Sequence, residues 1–449
     1  MDSATLRDRL RGIVFPASQL VAPVASGPGA VSPVASGFLT TEASAEMASR
    51  TDQHLERTLG GEWRDACFVV ERRVDGAARY GRELVGGFSA RVNEAAEAAA
   101  LLAPGVPGAA PCLPLLFFDL ETTGLSGGAG THAFLVGCGW FDEAGGFVTR
   151  QFLLTRFADE RVLLAALTGE LARAGALVTF NGKSFDAPLI ETRYLFHRLH
   201  WMGARLPHVD VLHPARRFWG SGPARPGESS CSLAALERQI LGVGRTGDVS
   251  GFEIPARYFQ FVRSGDARPL AAVLEHNRLD LLSLAGLTAR LFDVVRTGPG
   301  AAQDAREALA LGGIYTRAGD GPRALTAFER AVEMDASVRG DVRVDSLRAL
   351  AVALRRARRF DAAAACWRRL LAERSCPPAC AREASEALAI HHEHRLRDLV
   401  AAKTFALKSL EHGPQPAWHK AVQHRVARIE RRMERQVGAA GGGATFNLD

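Results

Sequence analysis

Residues 113–125, LPLLFFDLETTGL, run an apolar segment straight into two carboxylates. The apolar part has the length and composition of a buried strand. On a strand, side chains at i and i+2 share one face, so Asp119 and Glu121 project together. Two carboxylates held that close repel unless a divalent cation sits between them. An oxygen-only donor set points to Mg²⁺ or Mn²⁺ rather than Zn²⁺.

The sequence around this strand alternates between strand and helix patterns. AFLVGCGWFD and GGFVTRQFLL read as antiparallel strands joined at Gly145–Gly146, and ADERVLLAALTGELARAG as a helix closed by Gly175. ALVTFNG is a second core-like strand, followed by SFDAPLIETRYLFHRL, a helix with Pro188 in its first turn. SLAALERQIL and PLAAVLEHNRLDLLSLAGLTARLF supply two more helices. Asp186 lies in Asn181-Gly-Lys-Ser-Phe-Asp186, where the loop after ALVTF enters its helix; loops at strand C-termini are the usual catalytic positions of open α/β sheets. In His276-Asn-Arg-Leu-Asp280, the i,i+4 spacing places His276 and Asp280 on one helical face. Gly182-Lys183-Ser184 imitates the end of a phosphate-binding loop, but Leu177 stands where its first Gly must be. Asp210, in HVDVL, either lines the cleft or caps a loop.

Together, D-x-E on a strand, N-x-x-x-F-D and H-x-x-x-D resemble the DEDD superfamily of 3′–5′ exonucleases, in that family's order and over about residues 113–295. ETTGLSGGAGTHAFLVG with helical repeats behind it resembles the YprB-like bacterial branch. The resemblance implies an α/β fold with a ribonuclease H-like mixed sheet and flanking helices. It implies a hydrolase cleaving phosphodiesters on single-stranded DNA or RNA 3′ ends with two Mg²⁺ or Mn²⁺ ions. Asp119, Glu121, Asp186 and Asp280 would hold the ions, and His276 would orient or deprotonate the water. Thr123 and Leu125 would pack on the terminal nucleotide, and Asn181 would contact its phosphate. In the two common subtypes, a His stands five positions before the last Asp, or a Tyr four before. This chain has a His at the Tyr spacing. One extra helical residue turns a side chain by about 100°, so the way His276 meets the water is left open.

From about residue 305 the strands stop. Leu311, Gly312, Tyr315, Gly319, Ala324, Phe328 and Ala331 fall where tetratricopeptide helices nest, and Leu350, Ala351, Leu354, Ala363, Trp367 and Leu370 form a second unit. The last helix carries Lys420, Arg425, Arg428, Arg431, Arg432 and Arg435, either as a basic face for phosphates or as a solvated cap on the array. Residues 301–449 hold 25 basic and 18 acidic side chains, against 30 and 31 in residues 1–300. The net charge of +6 therefore resides in the C-terminal third and permits a nucleic-acid partner without demanding one.

The expected organisation is a flexible low-complexity arm over 1–50, a small segment of unassigned role over 51–112, and the ribonuclease H-like domain over 113–295. A linker at 296–304 follows, then tetratricopeptide-like helices over 305–436 and a flexible tail over 437–449. Seven scattered Cys, no signal-like h-region and no long apolar run point to a cytoplasmic protein without a membrane partner. The repeats suggest a protein partner. Two other functions fit the same residues: a binding platform with little catalysis, and a structure-specific endonuclease on the same fold.

Overall fold

The computed structural model describes residues 52–94, 96–102, 112–124, 130–220, 229–334, 340–411 and 416–441; the arm expected over 1–50 lies outside them, and of the tail expected over 437–449 only 437–441 is described, as the end of a helix rather than a tail. Its strands are β1 (Glu62–Arg64), β2 (Cys67–Val74), β3 (Arg79–Tyr80), β4 (Glu83–Leu84), β5 (Leu115–Thr122), β6 (Ala133–Phe141), β7 (Phe147–Leu153), β8 (Ala176–Thr179) and β9 (His208–Asp210). The helices ahead of the C-terminal region are α1 (52–59), α2 (Val85–Glu94), α3 (Ala96–Leu102), α4 (Glu160–Arg173), α5 (Asp186–Phe196), α6 (Leu212–Trp219), α7 (Leu233–Leu236), α8 (Ile254–Ser264) and α9 (Arg268–Thr297). Then come α10 (Ala305–Arg317), α11 (Gly321–Met334), α12 (Gly340–Arg356), α13 (Phe360–Ala372), α14 (Pro378–His391), α15 (Leu399–Leu410) and α16 (Pro416–Gly441).

The main sheet has the order β1-β2-β7-β6-β5-β8-β9, antiparallel from β1 to β5 and parallel from β5 to β9. This is the expected α/β class: a ribonuclease H-like mixed sheet with flanking helices, followed by an all-helical region. The alternation along β5 separates two cores. Leu115 and Phe117 point into the one that contains α9 from Leu281 onward, whereas Leu116, Phe118 and Leu120 join α4, α5, α8 and the start of α9 (Leu270, Val273 and Leu274) in the other. Asp119 and Glu121 continue the parity of Leu115 and Phe117, toward α9.

Residues 51–112 supply two strands to this same sheet. β2 pairs with β7 from Phe68↔Leu153 to Val74↔Phe147, covering an edge that would otherwise present unpaired backbone. The SLAALERQIL helix is also shorter than its pattern predicts. α7 ends at Leu236, and Glu237–Leu241 widens into a π-turn that Gly242 closes at φ +71°.

The step to the C-terminal helices is tight. A single 3-10 turn, Pro299–Ala301, separates α9 from the Asp304 cap of α10. Buried apolar side chains run without a break from Phe117 through Leu281 and Phe292 to Leu311, Trp367 and Leu388. Glu307 sits at the junction. Its carboxylate accepts the Trp219 indole N–H at 2.9 Å, the Arg290 guanidinium at 3.1 Å and the Gln303 backbone N–H at 2.8 Å. Within the helices, Gly312 admits the Phe328 ring, which a Cβ at that position would meet at 2.2 Å. Part of the basic face of α16 is committed inward: Arg425 pairs with Glu386, and Arg428 and Arg432 with the fully buried Glu393. No helix among the described residues is long and apolar enough to cross a membrane.

Replacing Glu307 by Ala strands the Trp219, Gln303 and Arg290 donors together. It is expected to cost about 2–4 kcal/mol, read as a lower urea midpoint; an unchanged midpoint would mean that water replaces the carboxylate freely.

Candidate functional site

β5 is the strand at which the antiparallel part of the sheet meets the parallel part, and its C-terminal end is where the carboxylates converge. Asp119 is paired in register with Gly137 of β6. The missing side chain at Gly137 is required, because a Cβ there would stand 2.2 Å from the Asn277 Oδ1 atom. Asn277, on α9, donates its amide to Asp119 Oδ2 at 2.7 Å and accepts the Gln151 side-chain N–H at 2.8 Å. Gln151, on β7, donates also to the Leu274 carbonyl at 2.8 Å. Asn277 and Gln151 are both buried, and together they fix the orientation of Asp119.

Asp186 enters from the other side of β5. The loop after β8 turns at Asn181, which takes the left-handed φ of +68°, and Asp186 opens α5. Asp210 holds that loop in place. Its Oδ1 accepts the Asn181 N–H at 2.8 Å, its Oδ2 accepts the Lys183 N–H at 3.0 Å, and Oδ1 also takes the Leu212 N–H at 3.2 Å. The two readings of Asp210 thus resolve in favour of the loop cap: it holds the segment that presents Asp186.

His276 and Asp280 stand one turn apart on α9, with His276 Nε2 at 3.4 Å from Asp280 Oδ2. Their partners come from the loop between the π-turn and α8. Asp248 Oδ1 lies 2.8 Å from His276 Nδ1, and Arg245 Nη2 lies 2.6 Å from Asp280 Oδ1. Thr123, at the end of β5, bridges to His132 by its N–H and its Oγ1, each at 3.0 Å, and so closes the loop between them. Leu125 lies outside the described residues.

The electrostatics follow from this placement. Burial first, then the charges of Asp280, Glu121 and Asp186, push the Asp119 carboxyl well above its ordinary range, against the pull of Asn277. Glu121 is raised in the same way, by burial and then by Asp280, Asp186 and Asp248. Asp186 is pushed up to about 7 by burial and the Asp210 charge. Asp119, Glu121, Asp186 and Asp280 are therefore close enough for their charges to act on one another. The first three are half-buried, and among the described residues no Lys or Arg pairs with them. No group of three or more His, Cys, Asp or Glu among the described residues has preformed metal-site geometry; Asp280 is bonded to Arg245 and Asp119 to Asn277. The donor set nevertheless fits a hard cation, being oxygen-only, half-buried and short of positive charge.

A cleft of about 600 Å³ opens beside Glu121 and Asp186, walled by Leu120 and Thr122 of β5, Leu189 and Thr192 of α5, and Ile254 and Pro255 of α8. Phe185 forms part of its wall and is 61% exposed; Phe252, next to the wall residue Gly251, is 85% exposed. Sequence reasoning missed Asn277, Gln151, Arg245 and Asp248. Only Asn277 had a signal, lying inside the His-Asn-Arg-Leu-Asp run.

The family model of the RNase H superfamily matches residues 116–292. The chain is also similar to the uncharacterized protein YprB of Bacillus subtilis (strain 168). The two are 32% identical over 302 residues, which is 66% of this chain and 69% of YprB.

The raised carboxyls carry a consequence for stability. Folded Asp186 keeps its proton up to about 7, whereas the unfolded chain releases it at an ordinary 3.8. The contribution of this group to stability is thus full below its ordinary range and is lost as the pH climbs to about 7. In a chelating buffer at pH 8, Asp186→Asn is expected to melt a few degrees above the wild type, the gap closing toward pH 4. A lower melting temperature at pH 8 would show that the ionised carboxylate is already satisfied without a cation.

Proposed function

The chain belongs to the YprB family, with an RNase H superfamily domain at its centre, and from that premise we propose that it is a 3′–5′ exonuclease acting on single-stranded ends. Membership of the superfamily points to a nuclease hydrolysing nucleic acids. The observation that carries the finer reading is the meeting of Asp119, Glu121, Asp186 and Asp280 at the end of β5, three of them without a cationic partner among the described residues. Nothing in fold stability calls for four converging carboxylates, and once they are ionised their mutual repulsion is a cost that a bound cation removes.

These four residues would hold two Mg²⁺ or Mn²⁺ ions. When bound, such ions lower the pKa of an attacking water and stabilise the leaving 3′-oxygen. The other residues orient the substrate and move a proton. His276 would take the water's proton at Nε2 as the water oxygen bonds to phosphorus and the P–O3′ bond breaks, the leaving oxygen drawing its proton from solvent. Thr123 and Leu125 would pack on the terminal nucleotide, and Asn181 would contact its phosphate. Phe185 and Phe252 offer exposed rings beside the cleft on which unpaired bases can stack. Unstacked bases are available only in single strands, which supports that substrate class.

The helices after residue 305 are read as tetratricopeptide-like, on the nesting of Gly312 against Phe328, and would recruit a protein partner or extend the nucleic-acid path. Seven unpaired cysteines suit a reducing cytoplasm. The platform reading draws on one observation, the Arg245 side chain bonded to Asp280.

The test is digestion of 5′-labelled single-stranded DNA and RNA with Mg²⁺ or Mn²⁺, beside Asp119→Ala. A descending ladder from the wild type alone, with circular single strands left intact, is the expected result and names the sugar. Mn²⁺ is also expected to raise the melting temperature of the wild type by a few degrees and that of Asp119→Ala by less. Cleavage of circles would establish an endonuclease. Binding of both polymers without hydrolysis would overturn the exonuclease in favour of the platform.

A further inference from the structure

The spacing of His276 from Asp280 matches neither common arrangement, so its orientation must come from elsewhere in this chain. It comes from the loop between the π-turn and α8. Gly247 takes φ +72° and turns the chain so that the next residue, Asp248, faces α9. Both Asp248 oxygens are engaged. Oδ1 accepts the Val249 N–H at 2.9 Å and meets His276 Nδ1 at 2.8 Å, while Oδ2 accepts from Arg245 Nη1 at 3.0 Å.

Arg245 is the brace of this arrangement. Its side chain is only 7% exposed and reaches Glu237, Asp248 and Asp280 at once. Glu237 is itself buried and accepts the Ser283 hydroxyl at 2.6 Å, and Ser283 meets the Tyr80 hydroxyl at 2.6 Å. The loop is thus tied to α9 at His276 and at Asp280, one turn apart, with a buried network behind it. The bonds from His276 and Arg245 outweigh burial, the largest single influence on Asp248, and hold its carboxyl below the ordinary range. An ionised carboxylate only accepts, so the proton between the two side chains is on Nδ1.

We propose that Asp248 is a positioning residue for the hydrolysis, holding His276 in its Nδ1–H tautomer with Nε2 turned toward the carboxylate cluster, and that Arg245 locks Asp248 in place. A carboxylate in this relation fixes the ring and stabilises the imidazolium formed when Nε2 takes a proton, without itself becoming protonated. The proposal rests on the nuclease reading above for its chemical purpose, but the tautomer is a property of the chain alone.

The experiment uses the full chain and two independent readouts. In metal-free protein labelled with ¹⁵N-histidine, the resonances lost in His276→Gln identify the ring. The wild type is expected to show protonated Nδ1 with a downfield proton, and Asp248→Asn to lose that signature. With Mn²⁺ and a single-stranded substrate, Asp248→Asn and Asp248→Ala are expected to lower kcat by about 100-fold. KM and the calorimetric Mn²⁺ affinity should stay within about twofold, and Asp248→Glu should recover part of the rate. An Nε2–H tautomer in the wild type overturns the proposal. So does a loss of rate that follows Mn²⁺ affinity or melting temperature, or an Asp248→Ala variant that keeps its kcat. If the wild type has the Nδ1–H tautomer but hydrolyses no substrate, the nuclease reading and the catalytic purpose assigned to Asp248 both fall, and the positioning of the ring by Asp248 alone stands.

Discussion

Like charges gathered in a recess repel one another, by about 4 kcal/mol for unit charges some 4 Å apart near a protein surface. Much of the fold around β5 can be understood as the means of holding such a gathering in place. Asp119 is oriented by Asn277, Asp186 is delivered by a loop whose backbone N–H groups end on Asp210, and Asp280 is bonded to Arg245. None of these supports is local in sequence. The Asn277–Asp119 bond spans 158 residues and that from Arg245 to Asp280 spans 35, so the cluster exists only once the sheet and α9 have come together.

The three supports differ in kind. Asn277 and the backbone N–H groups facing Asp210 are neutral donors, which orient a carboxylate while leaving its charge largely uncompensated. Arg245 is a full cation, and it is shared among three carboxylates, so its charge is divided. Asp119, Glu121 and Asp186 accordingly bear the raised carboxyls, with burial as the leading cause in each. That imbalance is chemically specific: it favours a hard cation at the end of β5 over an organic ligand in the cleft.

What could be read from the sequence is what is encoded locally. The strand LPLLFF, the β6–β7 turn at Gly145–Gly146, the helix beginning at Asp186 and the α9 pattern all follow from period and punctuation, and they put the four carboxylates on identifiable elements. The partners of those carboxylates could not be read in the same way. Arg245 and Asp248 lie in RTGDVSG, a glycine-rich stretch without period, and only the tertiary course of that loop decides what it faces. Gln151 looks like any polar residue on an alternating strand until α9 covers it. The basic helix α16 shows the same limit from the other side. Its arginines are visible in sequence, but the acidic residues that engage Arg425, Arg428 and Arg432 lie 35 or more positions away.

The 30 residues of α9 link the two halves of the molecule mechanically. Its first half presents His276, Asn277 and Asp280 to the site, and its second half buries Leu291, Phe292, Val294 and Val295 in the core shared with the C-terminal helices. Glu307 bonds α9 to α10 through Arg290, three helical turns beyond Asn277 and Asp280. A helix packed along its whole length moves as a rod, because close-packed side chains shift between discrete arrangements rather than deform smoothly. Any displacement of the C-terminal helices that rotated α9 would therefore reach Asn277 and Asp280 directly. The same continuity makes the helical array part of the framework that holds the site, rather than an appendage joined by a loose tether.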